Sequence, residues 1–203
     1  MTTTTTVLGD TERRELLDVA TDVIGHALTH HDAPIPHPSD FDGRLREPGA
    51  SFVTLERDDQ LLGCIGSLVA VEALVVDVAR HALAAAFADP RLPPVTRADF
   101  QEMSIKVSVL TTPEPVAAAT FDELAAAVRP GVDGLLVEAR RHQATLLPSV
   151  WRHVADTEHF LSVLWQKAGM ARRSWSADLT VSRYTTDEFG DPGPRSLVGA
   201  VNP

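Results

Sequence analysis

Residues 51–66 read SFVTLERDDQLLGCIG, and this stretch decides the fold. Residues 51–56 are rich in Phe, Val, Thr and Leu, which favour strands. Residues 57–60 are charged and read as a turn, and residues 61–66 return as a second strand. The returning strand holds the chain's only cysteine, Cys64, with Gly63 and Gly66 on either side. Glycine has no Cβ, so backbone or ligand approaches closely there. A thiol in that setting is either a small buried packing group or a positioned reactive group.

Outward from this hairpin, residues 71–88 are apolar nearly all round and read as a central helix. It ends at Asp89, because proline at 90 disfavours helix in the residue before it. Upstream, residues 11–29 carry Leu16, Leu17, Ala20, Val23, Ile24, Ala27 and Leu28 at helical spacing. Residues 32–40 hold three prolines and read as a loop. Downstream, Ile105, Val107 and Val109 alternate with Ser104, Lys106 and Ser108, a strand with one buried face. Thr120 and Glu123 form a capping-box pattern. A second hairpin follows, with strands at 135–139 and 144–147 around the charged turn 140–142. Residues 148–168 read as helical, stopped by Gly169. Leu179 and Val181 suggest a last strand. Hairpins mixed with scattered helices predict an α+β fold with a mainly antiparallel sheet and flanking helices. Residues 1–10 read as a disordered N-terminal tail, 11–189 as a single domain and 190–203 as a C-terminal tail.

The net charge of −10 argues against phosphate-backbone binding, so no nucleic-acid partner is expected. Local basic groups exist at Arg140, Arg141 and His142 and at Arg172 and Arg173, and the plainer reading of these is solvated loop residues. One cysteine excludes an intrachain disulfide and any Cys-rich zinc or iron–sulfur site within the chain. The apolar run 69–88 is interrupted by Glu72, Asp77, Arg80 and His81, which makes a bilayer span costly. MTTTTTVLGD lacks a signal-peptide pattern. A cytoplasmic protein with no membrane partner is expected.

With the segments in order, the chain resembles the AMMECR1 family. The resemblance rests on seven blocks in register: FVTL (52–55), LLGCIG (61–66), AAAFADPRLPPVTRADF (84–100), KVSVLTTPEP (106–115), PGVDGLLV (130–137), ATLLPSVW (144–151) and FLSVLWQKAGM (160–170), with Trp175 following. The resemblance implies an α+β domain over residues 11–189, with a main antiparallel sheet, a smaller lobe and an interlobe cleft. Members of this family are often encoded beside Memo-type and radical-SAM proteins. The chain departs from the family pattern at Leu62, where the hallmark has Arg, at Lys106, usually acidic, and at Leu92, usually Phe.

Cys64 is the candidate catalytic residue. A thiol nucleophile needs a cationic neighbour or a helix N-terminus, and here a helix begins a few residues later while the hallmark Arg is absent. Asp89 and Arg91 leave the central helix in a stiff proline loop. Arg91 presents a fork suited to a carboxylate or phosphate ligand, and the plainer reading is that the two residues hold the loop. Gly63, Gly66, Asp89, Arg91 and Lys167 are the candidate ligand-binding residues; for Lys167, placement at a helix C-terminus is the plainer account. His26, His30, His31 and His37 gather near one loop without metal-site spacing, and no metal or cofactor is expected. No G-x-S-x-G elbow, dinucleotide fingerprint or P-loop occurs.

Three functions are consistent with these residues. The resemblance implies an accessory or specificity subunit working with Memo-like and radical-SAM proteins in a modification pathway. The alternative is an enzyme using Cys64 as a reactive thiol in the interlobe cleft, on a small-molecule ligand. A third is a paralogue that keeps the fold without the function, as Leu62 and Lys106 permit. A homodimer stays open.

Overall fold

The computed structural model describes residues 8–30 and 32–195. In chain order the elements are α1 (Asp10–His30), β1 (Pro48–Gly49), β2 (Ser51–Arg57), β3 (Gln60–Gly66), β4 (Glu72–Ala73), α2 (Leu74–Phe87), α3 (Arg97–Glu102), β5 (Ser104–Leu110), β6 (Glu114–Pro115), α4 (Phe121–Ala127), β7 (Gly134–Ala139), β8 (His142–Leu146), α5 (Thr157–Lys167), β9 (Thr180–Tyr184) and β10 (Thr186–Asp191). The fold is α+β, with antiparallel sheets and helices laid against them. Two units divide the chain: one comprises residues up to Leu110 together with those from Asp187, the other Thr111–Thr186.

In the first unit the sheet order is β10-β5-β2-β3, which leaves β3 at the edge. The β2–β3 turn is made by Asp58 and Asp59, both at positive φ, which matches the twist of a two-residue hairpin. Thr54 faces Cys64 and Leu55 faces Gly63, but Glu56 faces Leu61. Leu62 is therefore the extra residue of a β-bulge, and its side chain packs on the first unit's core. Val53 and Leu55 on β2 and Ile105, Val107 and Val109 on β5 point to one buried face. Against that face lies α2, whose Leu74, Val75, Val78, Ala79 and Ala82 are fully buried. Helix α1 adds its stripe of Leu16, Ala20, Val23 and Ile24.

In the second unit the sheet order is β6-β9-β7-β8. Leu135, Val137, Ala144 and Leu146 pack against Phe160, Leu161, Leu164 and Trp165 of α5 and Phe121 of α4. Trp151 stacks on Phe160 at 4.0 Å between ring centroids. Trp165 is fully buried and donates its indole N–H to the Ser174 carbonyl at 2.8 Å.

Several boundaries differ from the sequence reading. Leu8 is buried and α1 starts at Asp10, so the expected tail of residues 1–10 overlaps the core at its end; residues 1–7 lie outside the described residues. The central helix begins at Leu74, not 71, because Glu72 and Ala73 pair with Gly49 and Pro48. Residues 148–168 are not one helix. A 3-10 turn spans Pro148–His153, and α5 starts anew where Asp156 accepts the His159 N–H at 2.8 Å. Residues 190–195, expected in a tail, are held in place: Gly190 and Asp191 close β10, and Arg195 bonds Asp191 at 2.6 Å. Residues 196–203 lie outside the described residues.

Candidate functional site

Among the described residues, strand β3 has a strand partner on one side only, β2. On its open side, the Cys64 N–H donates to Asp89 Oδ2 at 3.0 Å, and the Cys64 carbonyl accepts from Arg91 Nη2 at 2.9 Å. Two side chains thus take the place of a neighbouring strand at one residue. They reach this position because α2 ends at Phe87 and Asp89-Pro90-Arg91 folds back along the strand.

The Asp89 carboxylate is almost fully enclosed, with its side chain 2% exposed, while the Arg91 side chain is 60% exposed. Asp89 Oδ1 accepts from Arg91 N at 3.1 Å and Arg91 Nε at 2.8 Å. Oδ2 accepts from Cys64 N and from Arg91 Nη2 at 2.6 Å. Each carboxylate oxygen therefore uses both lone pairs. The Arg91 fork, first among the causes, holds Asp89 well below the usual carboxylate range against the opposing effect of burial. Arg91 is in turn held more firmly protonated, chiefly by Asp89 and to a lesser degree by the nearby Cys64 side chain.

The Cys64 thiol is half-buried, and its sulfur accepts the Thr54 hydroxyl at 3.3 Å. Gly63 and Gly66 have local packing roles. A Cβ on Gly63 would lie 1.9 Å from the Ala85 carbonyl oxygen, so the glycine is what lets α2 rest on β3. A Cβ on Gly66 would lie 2.4 Å from the Ser51 carbonyl and 2.3 Å from the Phe52 ring. Lys106 on β5 reaches Glu56 Oε2 on the adjacent β2 at 2.5 Å. Cys64, Gly63, Gly66, Asp89 and Arg91 thus come together in the first unit. Lys167 belongs to the second unit, where Nζ donates to the Thr145 carbonyl at 2.9 Å.

Among the described residues the loop histidines do not converge on one point. His26 donates to the Asp32 carbonyl and packs on the His30 ring, and His37 caps a short turn at Ser39. His31 lies outside the described residues. Among the described residues no three metal-ligating side chains converge. No helix of the described residues is long and apolar enough to cross a membrane.

One polar cluster escaped the sequence reading. Ser51, fully buried on β2, donates to Asp77 Oδ2 of α2 at 2.6 Å, and His81, one turn along, meets the same oxygen at 3.1 Å. Ser51 Oγ and His81 share the carboxylate, and the serine lies beneath the helix, so the arrangement ties sheet to helix and presents no exposed nucleophile. The i,i+4 spacing of Asp77 and His81 was visible in the sequence; Ser51, 26 residues earlier, was not connected to it.

Comparison with known proteins agrees with the fold. The AMMECR1 family model matches residues 17–189. A protein of Methanothermobacter thermautotrophicus is 38% identical over 158 residues, covering 77% of this chain and 82% of its own. One of Thermococcus gammatolerans is 36% identical over 173 residues, covering 81% and 83%. The crystal structure of an uncharacterized protein from Pyrococcus horikoshii superimposes with a TM-score of 0.80 at 31% identity, over 88% of this chain and 91% of that one.

Proposed function

The chain belongs to the AMMECR1 family, and from that premise we propose that it is a cytoplasmic binding or accessory subunit acting with Memo-like and radical-SAM proteins in a modification pathway. One observation carries the binding role. Among the described residues, three of the five exposed large apolar side chains, Leu61, Val69 and Val71, fall within residues 61–71. Val69 is 66% and Val71 81% exposed, on the segment that leaves β3 directly after the Cys64 motif. Apolar exposure gathered on one segment is a feature of contact surfaces. The Cys64 region adds support, since its peptide group and the Arg91 fork are already engaged with each other and with Asp89.

The test is size-exclusion chromatography with light scattering of this chain mixed with Memo-like and radical-SAM proteins. Co-elution with at least one of them, lost in a Val69→Asp, Val71→Asp double variant, is the expected result. Separate elution of all components would overturn the reading.

The thiol-enzyme reading has one specific observation in its favour: Arg91 Nη2 donates to the Cys64 carbonyl at 2.9 Å, which places a guanidinium at the half-buried cysteine. Turnover of a small electrophilic ligand that is abolished by Cys64→Ser would establish it.

A further inference from the structure

The second unit has a cavity of about 510 Å³ between the β7–β8 hairpin and the loop that follows α5. Its basic lining is the run Arg140, Arg141 and His142, and Ser174, Ser176 and Asp178 line it as well. A neighbouring hollow of about 380 Å³ shares Arg140, His142 and Asp178, so the concave surface continues along the hairpin.

Three features of this wall bear on ligand chemistry. Arg140 occupies the turn at φ 40°, a left-handed conformation that glycine adopts without cost and arginine does not. His142 donates its Nδ1–H to the Ala168 carbonyl at 2.8 Å, so it caps the end of α5 and its ring is fixed against the cavity. Other late carbonyls of α5 are also taken: Trp165 O accepts from Met170 N and Gln166 O from Gly169 N. The helix end therefore turns few bare acceptors toward the cavity.

The charges are unevenly matched. Arg140 meets Asp178 only loosely, at 3.5 Å, with 87% of the arginine side chain exposed. Glu138, at the rim of the smaller hollow, is bonded by Gln143 at 3.0 Å. Among the described residues, none is placed as an ion-pair partner of Arg141. By contrast, Arg172 and Arg173 are both tied to Glu158, and Arg173 also to Asp122. The 140–142 run lines a concavity, and its Arg140 is only loosely paired.

We propose that this cavity binds the anionic group of a small molecule, a carboxylate or a phosphate, with Arg141 as the principal contact and Arg140 shared between ligand and Asp178. Guanidinium forks match both anions bidentately, and Ser174 and Ser176, which also line the cavity, carry hydroxyls able to donate. The site does not depend on the accessory reading above, since it lies wholly within the second unit.

The test is titration of the full chain with inorganic phosphate and, separately, with acetate, at constant ionic strength set by chloride, followed by amide NMR shifts. Saturable shifts confined to residues 139–143 and 169–178, with a dissociation constant of about 1 mM or tighter for either anion, are expected. Saturation by phosphate alone identifies a phosphorylated small molecule, and by acetate alone a carboxylic acid. Arg141→Ala, on an exposed turn, is expected to weaken binding about tenfold or more, and Asp178→Asn to strengthen it by removing the competing carboxylate. No saturable shift with either anion, or shifts unchanged in Arg141→Ala, would overturn the proposal.

Discussion

The backbone N–H of Cys64 donates to the Asp89 carboxylate at 3.0 Å across the open edge of β3. Through this bond a loop residue 25 positions downstream completes the hydrogen bonding of the strand that carries the chain's only thiol. Arg91 completes it on the carbonyl side and neutralises the enclosed carboxylate.

Removing Asp89 should therefore cost more than removing Arg91. Asp89→Ala leaves the Cys64 N–H and the Arg91 fork without their shared acceptor, and a loss of about 2–3 kcal/mol is expected. Arg91→Ala leaves a carboxylate still bonded by two backbone N–H groups. The arginine is 60% exposed, so water replaces much of it, and about 1 kcal/mol is expected. Urea unfolding of the two variants checks the order; equal losses, or the reverse order, would contradict the geometry.

Acid should narrow the difference between wild type and Asp89→Asn. In the unfolded chain Asp89 takes up its proton near the ordinary value of about 3.9, whereas in the folded chain Arg91 holds that uptake well lower. Between those two values the unfolded state binds more protons, so stability falls as pH falls. The advantage of wild type should be constant above about pH 5 and shrink steadily below about pH 4. Unfolding midpoints measured from pH 7 to pH 2.5 decide this; a gap that stays constant or widens toward acid would be inconsistent with it.

Gly63 and Gly131 should separate two kinds of glycine cost. At Gly63 a methyl group would meet the Ala85 backbone carbonyl at 1.9 Å, and backbone cannot step aside cheaply. Gly63→Ala is expected to lose about 3 kcal/mol. At Gly131 nothing lies within 4 Å, and only its φ of +77° opposes a side chain. Gly131→Ala is expected to lose about 1 kcal/mol. Thermal melts of both variants provide the comparison.

Ser51→Ala should expose the role of the buried polar cluster. The substitution removes the 2.6 Å donor to Asp77, leaving an enclosed carboxylate with His81 alone among the contacts described. A loss of about 1.5 kcal/mol is expected from a bond to a charged acceptor. A neutral outcome by denaturant unfolding would mean that solvent reaches Asp77.

Much of the fold was legible because its signals are local. The 51–66 hairpin declares itself through strand-favouring residues around a charged turn, the 104–110 strand through period-2 alternation, and α1 through its apolar stripe. Helix α3 was missed although Thr96 and Asp99 form a full capping box, because six residues inside a proline loop carry no readable period. Strand β10 was missed because TDEFGD has no apolar alternation and is held by its place beside β5. The candidate site was legible in part. Asp89 and Arg91 stand out as a motif in a stiff proline loop. That they bond the Cys64 peptide group depends on how α2 lies against β3, which spacing along the chain does not encode. The Ser51–Asp77 bond has the same long-range origin.

The central proposal is that Cys64 serves as a strand residue held by Asp89, Arg91 and Thr54 rather than as a working nucleophile. The most direct measurement is the rate at which a thiol reagent modifies Cys64 in the native protein at neutral pH, with Cys64→Ser as the blank and the urea-unfolded chain as the reference. The account predicts native labelling at least about tenfold slower than unfolded labelling, as expected of a cysteine that packs. Native labelling as fast as or faster than that of the unfolded chain would contradict it and turn the assignment toward a thiol enzyme.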